Sequence, residues 1–252
     1  FYLCLNWVFY DAPLKCKSVL AEFDSLESFT SQSSVFFQRS GWSSKMCEVY
    51  SKRLMTFSMD RIQRQLDKHQ LQCLFFDDPE YPELLKQIND PPLVLFYKGN
   101  LNLLQHPAIA VVGPRKATDY GLEVTKVFVT QLKTQFTIVS GLALGVDRVS
   151  HACSLESALS TIAVLGVPFD NFYPVENRPL FEEITQKGLV MTEFPCGIAS
   201  KNYHFPQRNR IISGLSEGVL LPEAGVKSGS LITARCAMEQ GREVFAVPGS
   251  VF

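Results

Sequence analysis

Between Lys201 and Ser216 the chain carries Lys201, His204, Arg208 and Arg210 and no carboxylate. A solvated face usually mixes its signs, so a run of one sign points to an anionic ligand. Phe205-Pro206 opens this segment and Ile211-Ile212 follows Arg208, Asn209 and Arg210, which predicts that the three polar residues sit in the first turn of a helix. Positive charge there opposes the helix macrodipole by ~0.3–1 kcal/mol per residue, a cost that a bound anion offsets. Further on, Lys227-Ser228-Gly229-Ser230 leads from a strand into the helix that begins near Leu231. Free backbone N–H groups, serine hydroxyls and an ammonium at such a turn suit a phosphate, although serine and glycine are also ordinary capping residues.

Two earlier turns have the same character. Gly113-Pro114-Arg115-Lys116 places a glycine and two cations directly after an apolar strand, and Ser140-Gly141 opens the small-residue stretch Ser140–Asp147 before another helix. Asp147 is expected to cap that helix or order the loop. Phe205 offers a planar face for stacking or, equally, a hydrophobic staple at a helix start. Arg208 or Arg210 is also open to a buried ion pair with Glu223 or Asp147. His151, one turn into its helix, has no nucleophile or acid partner at a motif position and reads as a satisfied core histidine.

Other chemistries find no support. No Gly-x-Gly-x-x-Gly follows the first strand of the repeating pattern, Gly225–Ser230 lacks the Gly-Lys-Ser/Thr ending of a nucleoside-triphosphate loop, and no Gly-x-Ser-x-Gly elbow occurs. The seven cysteines are scattered, without a Cys-x-x-Cys pair or a histidine at ligand spacing. They predict reduced, buried thiols in a cytoplasmic protein and no metal site. No catalytic residue and no cofactor is assigned.

The elements that must position these residues follow from hydrophobic periodicity. Apolar runs at Ala108–Val112, Phe136–Val139, Thr161–Leu165, Leu189–Thr192, Val219–Leu221 and Val244–Val247 read as strands. They alternate with helices at Tyr120–Thr134, Val146–Leu159, Arg178–Gln186, Gln207–Leu215 and Leu231–Gln240. Such alternation predicts an α/β fold, a Rossmann-like doubly wound and mostly parallel sheet. Leu71–Phe76 and Leu93–Tyr97, on either side of a turn-rich stretch with a short helix at Glu83–Gln87, are expected to join the sheet edge. Every loop leaving a parallel strand emerges on the carboxyl-terminal edge, so the candidate motifs should converge there. Residues 1–70 read as a small all-α domain, with helices at Ser18–Phe29, Lys45–Phe57 and Met59–Gln70 separated by the serine-rich Thr30–Ser34 and by Gly41-Trp42-Ser43-Ser44. Residues 71–252 form the larger domain.

At 252 residues and 46% apolar, the chain can bury a substantial core. Its formal net charge of −1 gives no global pull on nucleic acid, so any such binding needs a local basic patch. A chain beginning at Phe1 is expected to lack a few residues. The apolar Phe1–Tyr10 is too short to span a bilayer and lacks the basic start of a signal peptide.

Several long motifs occur in one order: Tyr97-Lys98-Gly99-Asn100, Ser140-Gly141-Leu142-Ala143, Gly145-Val146-Asp147, Phe205–Ile212, Glu223-Ala224, Lys227–Thr233 and Gly241–Ser250. In these the chain resembles the DNA-processing protein A family (DprA, also called Smf) over most of its length after about Leu71. The resemblance implies a single-stranded DNA-binding protein of natural transformation that acts without catalysis. It implies protection of incoming strands, delivery to the RecA recombinase, and a homodimer. On this reading Gly113, Arg115, Lys116, Arg208, Asn209, Arg210 and Lys227 meet phosphates, Ser140, Gly141, Ser228, Gly229 and Ser230 cradle them, and Phe205 stacks on a base. Members usually carry serine or threonine at the position of Pro114 and arginine or lysine at that of Leu144. They generally continue past Phe252, some into a winged-helix domain, and their N-terminal region looks like a sterile-alpha-motif or helix-hairpin-helix module. The alternative is a Rossmann-like nucleotide hydrolase of the phosphoribohydrolase type, whose Pro-Gly-Gly-x-Gly-Thr-x-x-Glu motif is replaced here by Glu223–Ser230.

Overall fold

The computed structural model describes residues 1–249, so Ser250, the last residue of the C-terminal motif, lies outside the described residues. Five helices come first: α1 (Tyr2–Phe9), α2 (Leu14–Leu20), α3 (Leu26–Arg39), α4 (Ser44–Met55) and α5 (Met59–His69). The apolar opening of the chain is α1, whose Leu5, Val8 and Phe9 are buried with Phe29, Phe36 and Tyr50 in a core of their own. The expected helix Ser18–Phe29 is instead two helices with a break between them. Ser25 starts the second by accepting the Ser28 N–H at 3.2 Å, an N-cap bond that outweighs the continuous apolar spacing. The serine-rich Thr30–Ser34 is likewise no separator. It lies inside α3, where Ser31 Oγ donates to Glu27 O at 2.9 Å and Ser33 Oγ to Thr30 O at 3.1 Å. Hydroxyls that back-bond to the preceding turn let serine stay helical.

The rest of the chain builds strands β1 (Gln72–Phe75), β2 (Val94–Gly99), β3 (Ala108–Val111), β4 (Thr137–Ser140), β5 (Thr161–Val164), β6 (Leu189–Thr192), β7 (Gly218–Leu221) and β8 (Glu243–Ala246). Between them come the short α6 (Glu83–Lys86), then α7 (Asp119–Leu132), α8 (Val146–Ser154), α9 (Arg178–Lys187), α10 (His204–Gly214) and α11 (Ser230–Glu239). One sheet holds these strands in the order β1-β2-β6-β5-β4-β3-β7-β8. Strands β3 to β8 pair in parallel, while β1 and β2 add antiparallel strands at the β6 edge. Alternate residues of β3 enter different cores, as the period of two requires. Ala108 and Ala110 pack with Ile211 and Ala234 of α10 and α11, and Ile109 and Val111 pack with Val129 and Val146 of α7 and α8.

The strand order fixes where a ligand can enter. From β3 the chain lays β4, β5 and β6 to one side, then returns to place β7 and β8 on the other. The loops after β3 and β7 therefore diverge and leave a crevice at the carboxyl-terminal edge, the topological switch point of a doubly wound sheet. Among the described residues no helix is long and apolar enough to cross a membrane.

Candidate phosphate-binding site

A cavity of about 790 Å3 opens at this switch point. Gly113, Pro114 and Arg115 line it from the loop after β3, and Lys227, Ser228, Gly229 and Ser230 from the turn after β7. Phe205, Arg208 and Asn209 of α10 close the third side. Arg115, Lys116, Lys201 and Lys227 are exposed, and none of them forms an ion pair among the described residues. Lys116 stands beside the cavity rather than in its wall.

Two contacts bring the loops together. Gly145, at φ 77°, lies so close to the Pro114 and Arg115 carbonyl oxygens that a Cβ would collide with them. Glu223, at the start of the β7 turn, reaches the other loop, where its Oε2 accepts the Thr118 N–H and hydroxyl, each at 2.9 Å. Gly121 is the residue that leaves room for this carboxylate. Glu223 is thus a link between the two cavity loops and not an arginine partner. At the α11 start, Ser228 Oγ accepts the Ser230 N–H at 3.3 Å and shares a hydrogen bond of 2.7 Å with the Ser230 hydroxyl. Ser228 thus takes up the first N–H of α11, whose N-cap is Gly229, while lining the cavity.

The loop after β4 is committed elsewhere. Asp147 Oδ2 accepts the Gly141 and Ala143 N–H groups at 3.1 and 3.4 Å. His151 Nε2 accepts the Leu142 N–H at 3.2 Å. Asn177 Nδ2 donates to the Leu142 and Ala143 carbonyls at 3.0 and 3.1 Å, and Arg208 Nη1 donates to Gly141 O at 2.8 Å. Buried side chains thus satisfy every backbone polar group from Gly141 to Ala143, holding Leu142 at φ 53°. The expected cradle of Ser140 and Gly141 is corrected accordingly. The Ser140 hydroxyl is turned into the sheet, donating to Val111 O at 2.7 Å, and the Gly141 N–H belongs to Asp147. Glycine is needed at 141 because a Cβ there would stand 2.6 Å from Arg208 Nη2.

Helix α10 begins earlier than its sequence suggested. It starts at His204, so Pro206 falls in the first turn, where its missing N–H is not needed. Arg208 and Arg210 lie deeper in the helix, which removes the expected dipole penalty. Arg208 is 5% exposed. Its Nη1 also donates to Val164 O, and its Nε donates to Asn209 Oδ1 at 3.2 Å. Burial lowers its pKa to about 10, with Asp147 opposing and Arg115 reinforcing the shift, so it stays charged at neutral pH. Burial pushes the Asp147 carboxyl up, against the pull of Arg208. Arg210 leaves the site altogether. Its Nη1 and Nη2 donate to Glu193 Oε1 and Oε2 at 2.9 and 2.7 Å, and its Nε to Asp90 Oδ2 at 2.8 Å. A guanidinium neutralised by two carboxylates has no charge left for a phosphate, and the partners expected for it, Glu223 and Asp147, are engaged elsewhere.

His151 is a core residue. Its Nε2 accepts, so its Nδ1–H faces Thr161 Oγ1 at 2.7 Å, and Thr161 donates on to Ile138 O at 2.6 Å. Burial lowers its pKa to about 3. The cysteines are all free thiols, but only Cys4 and Cys16 are buried. Among the described residues no cluster of His, Cys, Asp or Glu could hold a metal. Sequence reasoning passed over Tyr173, Asn177 and Glu193. Only the Tyr173-Pro174 turn signal, in a loop bound for the carboxyl-terminal edge, could have drawn attention to Tyr173.

A doubly wound sheet whose switch point gathers exposed cations, a helix N-terminus and an aromatic ring, without a dinucleotide fingerprint, is a Rossmann-like fold with a basic crevice at its carboxyl-terminal edge. The family model described as DNA recombination-mediator protein A matches residues 72–252, and the chain belongs to that family. It is 47% identical over 174 residues to the DNA processing protein DprA of Streptococcus pneumoniae, an alignment covering 69% of this chain and 62% of that one. It is 45% identical over 177 residues to the protein Smf of Escherichia coli, covering 69% and 47%. The chain thus spans roughly half to three-fifths of the length of these curated relatives. The X-ray structure of S. pneumoniae DprA superposes with a TM-score of 0.80 at 36% identity, covering 98% of this chain and 83% of that one. DNA processing protein A of Helicobacter pylori, whose structure concerns its single-stranded DNA binding mode, gives 0.67 at 32% identity, covering 72% and 82%.

Proposed function

We propose that the switch-point cavity binds the backbone of single-stranded DNA and that the protein performs no catalysis. The observation that carries this reading is the pair of cations Arg115 and Lys227, on the two loops that line the crevice and without an ion pair among the described residues, with Arg208 and Phe205 in the same wall. Gly229 keeps the backbone accessible, Gly113 makes room for Val146 at the start of α8 beside the crevice, Ser228, Ser230 and Asn209 supply neutral polar contacts, and Lys116 and Lys201 extend the basic rim. Membership of a recombination-mediator family, and a relative studied for its single-strand binding, support DNA as the polyanion. On the same grounds we place the protein in the cytoplasm, protecting incoming strands during natural transformation and passing them to the RecA recombinase as a homodimer. Residues 1–70 are read as a separate helical domain.

The phosphoribohydrolase alternative lacks its Pro-Gly-Gly-x-Gly-Thr-x-x-Glu motif, and with it the glutamate of that motif. Asp147 is the carboxyl lining the cavity, and one of its oxygens is spent on two loop N–H groups; Glu223 is spent on Thr118. Fluorescence anisotropy with labelled oligo-dT and a duplex of equal length at low salt tests the proposal. Tighter binding of the single strand, with no hydrolysis of a nucleoside monophosphate, is the expected result. Equal affinity for the duplex, or release of a free base, sinks it.

A further inference from the structure

We propose that the exposed basic face of α5, formed by Arg61, Arg64 and Lys68, is a second phosphate-binding surface, onto which a bound single strand passes when it leaves the crevice over Lys201. The inference rests on the single-strand reading above and carries the strand beyond the site described there.

At about 100° per helical residue these three cations fall within an arc of roughly 60°. Asp60 and Asp67 lie on the flank of that arc and Ile62 and Leu66 on the far side, Ile62 buried and Leu66 packed with the core that holds Phe96, Phe181 and Val190. The helix is therefore seated by one face and offers the other to solvent. Arg61, Arg64 and Lys68 are exposed, and none of them forms an ion pair among the described residues. On α4, α7 and α9, by contrast, an exposed lysine is matched by a carboxylate one turn back: Lys52 by Glu48 at 2.6 Å, Lys126 by Glu123 at 2.5 Å and Lys187 by Glu183 at 3.0 Å. In α5 the same opportunity exists and is not taken. Asp60 stands four residues before Arg64, yet Arg64 Nε donates to the Asp60 backbone carbonyl at 3.2 Å, and Asp67 accepts from Gln63 Nε2 at 2.8 Å. The result is a local positive field on a chain whose net charge is −1.

The loop after β6 joins this face to the crevice. Its Asn202 lines the cavity, and Lys201 beside it is exposed. Earlier in the same loop Gly197, at φ 90°, lies against α5: a Cβ there would stand 2.8 Å from Arg61 Nη2. Arg61 is also steadied by Trp7, its Cζ 5.0 Å from the ring centroid. At the far end of the helix Lys98 Nζ donates to Gln70 Oε1 at 3.0 Å, a neutral partner that leaves the charge of Lys98 intact. The cations thus run from the crevice rim along α5, whose rise sets Arg61 and Lys68 about 10 Å apart. Cations spaced in this way match an extended polyanion, held by its phosphates and not read at its bases.

The test is the salt dependence of oligo-dT affinity for the native chain, the Arg64→Ala/Lys68→Ala variant and the charge-preserving Arg64→Lys/Lys68→Arg variant. Each is measured with a short probe of about 5 nucleotides and a long one of about 20, below and beyond most single-strand site sizes of roughly 4–16. At roughly 0.7 in log–log slope per phosphate contact, three further contacts should make the native slope steeper by about 2 on the long probe than on the short one. Arg64→Ala/Lys68→Ala should lose about 1.4 of that slope on the long probe, bind it more weakly, and bind the short probe as the native chain does. The charge-preserving variant should keep the native slope on both. Equal native slopes on the two probes overturn the proposal, as does a native slope for Arg64→Ala/Lys68→Ala on the long probe. An equal loss on both probes also overturns it, since the two cations would then act on the crevice. If the native chain binds neither probe, the single-strand reading falls and the α5 surface with it.

Discussion

Arg208 and Arg210 are next-but-one neighbours on α10, yet they face two regions built on different principles. Arg210 is enclosed where the sheet meets the N-terminal helices, clamped by Glu193 and Asp90. Around it Asn6 donates to Glu193 O at 2.8 Å and Gln207 to Tyr10 O at 2.6 Å. Arg208 is as deeply buried but is held by carbonyl oxygens of Gly141 and Val164. Carboxylates bonded to a guanidinium fix it and cancel it; Arg208 is bonded to carbonyls and meets a carboxyl, that of Asp147, without an ion pair. The first arrangement joins two parts of a molecule, and the second leaves a cation under the cavity where we propose that the strand binds.

The contrast can be broken in order of effect. Arg210→Ala should cost roughly 3 kcal/mol in urea unfolding, because it leaves the buried Glu193 carboxylate uncompensated and the partly exposed Asp90 without its partner; a loss below about 1 kcal/mol would show that the junction does not depend on the pair. His151, on the cavity side, makes a pH signature. Its folded pKa of about 3 lies below the unfolded value of 6.5, so the unfolded chain binds the proton first and stability falls as pH drops below about 6.5. From this group alone the loss is about 2–3 kcal/mol between pH 6.5 and 4.5, at ~1.4 kcal/mol per unit. The raised pKa of Asp147 acts in the opposite sense, so the measure is the difference between the native chain and His151→Gln, in which that slope should disappear. Smaller again is Glu223→Ala, which removes the acceptor for Thr118. It should cost about 1 kcal/mol of stability and loosen the Arg115 loop, weakening oligo-dT binding severalfold, with Glu223→Gln intermediate; unchanged affinity would reduce Glu223 to a helix cap.

The sheet was legible because its strands are uninterrupted apolar runs, such as Leu189–Thr192 and Gly218–Leu221, divided by polar helices. The core placement of His151 was legible because it had no partner at motif spacing. Long-range pairing was not. Nothing local to Arg210 announces Glu193 or Asp90, and the identical residue type in Arg208 meets a different fate. The side-chain network that takes every polar group of Gly141–Ala143 draws on Asn177 and Arg208, far along the chain, so a loop of small residues read as an open cradle. In α3 the local signal itself misled, since its serines bond back to their own helix. The strand order that places the crevice between β3 and β7 was also beyond local pattern, although the motifs that line it were visible.

The most direct test is the salt dependence of oligo-dT affinity for the native chain beside the Arg115→Ala/Lys227→Ala double variant. Single-strand binding loses roughly 0.7 in log–log slope per phosphate contact removed. The account predicts weaker binding by the variant and a slope shallower by about 1.4. A variant that binds with native affinity and native slope would contradict it and move the strand away from the switch point.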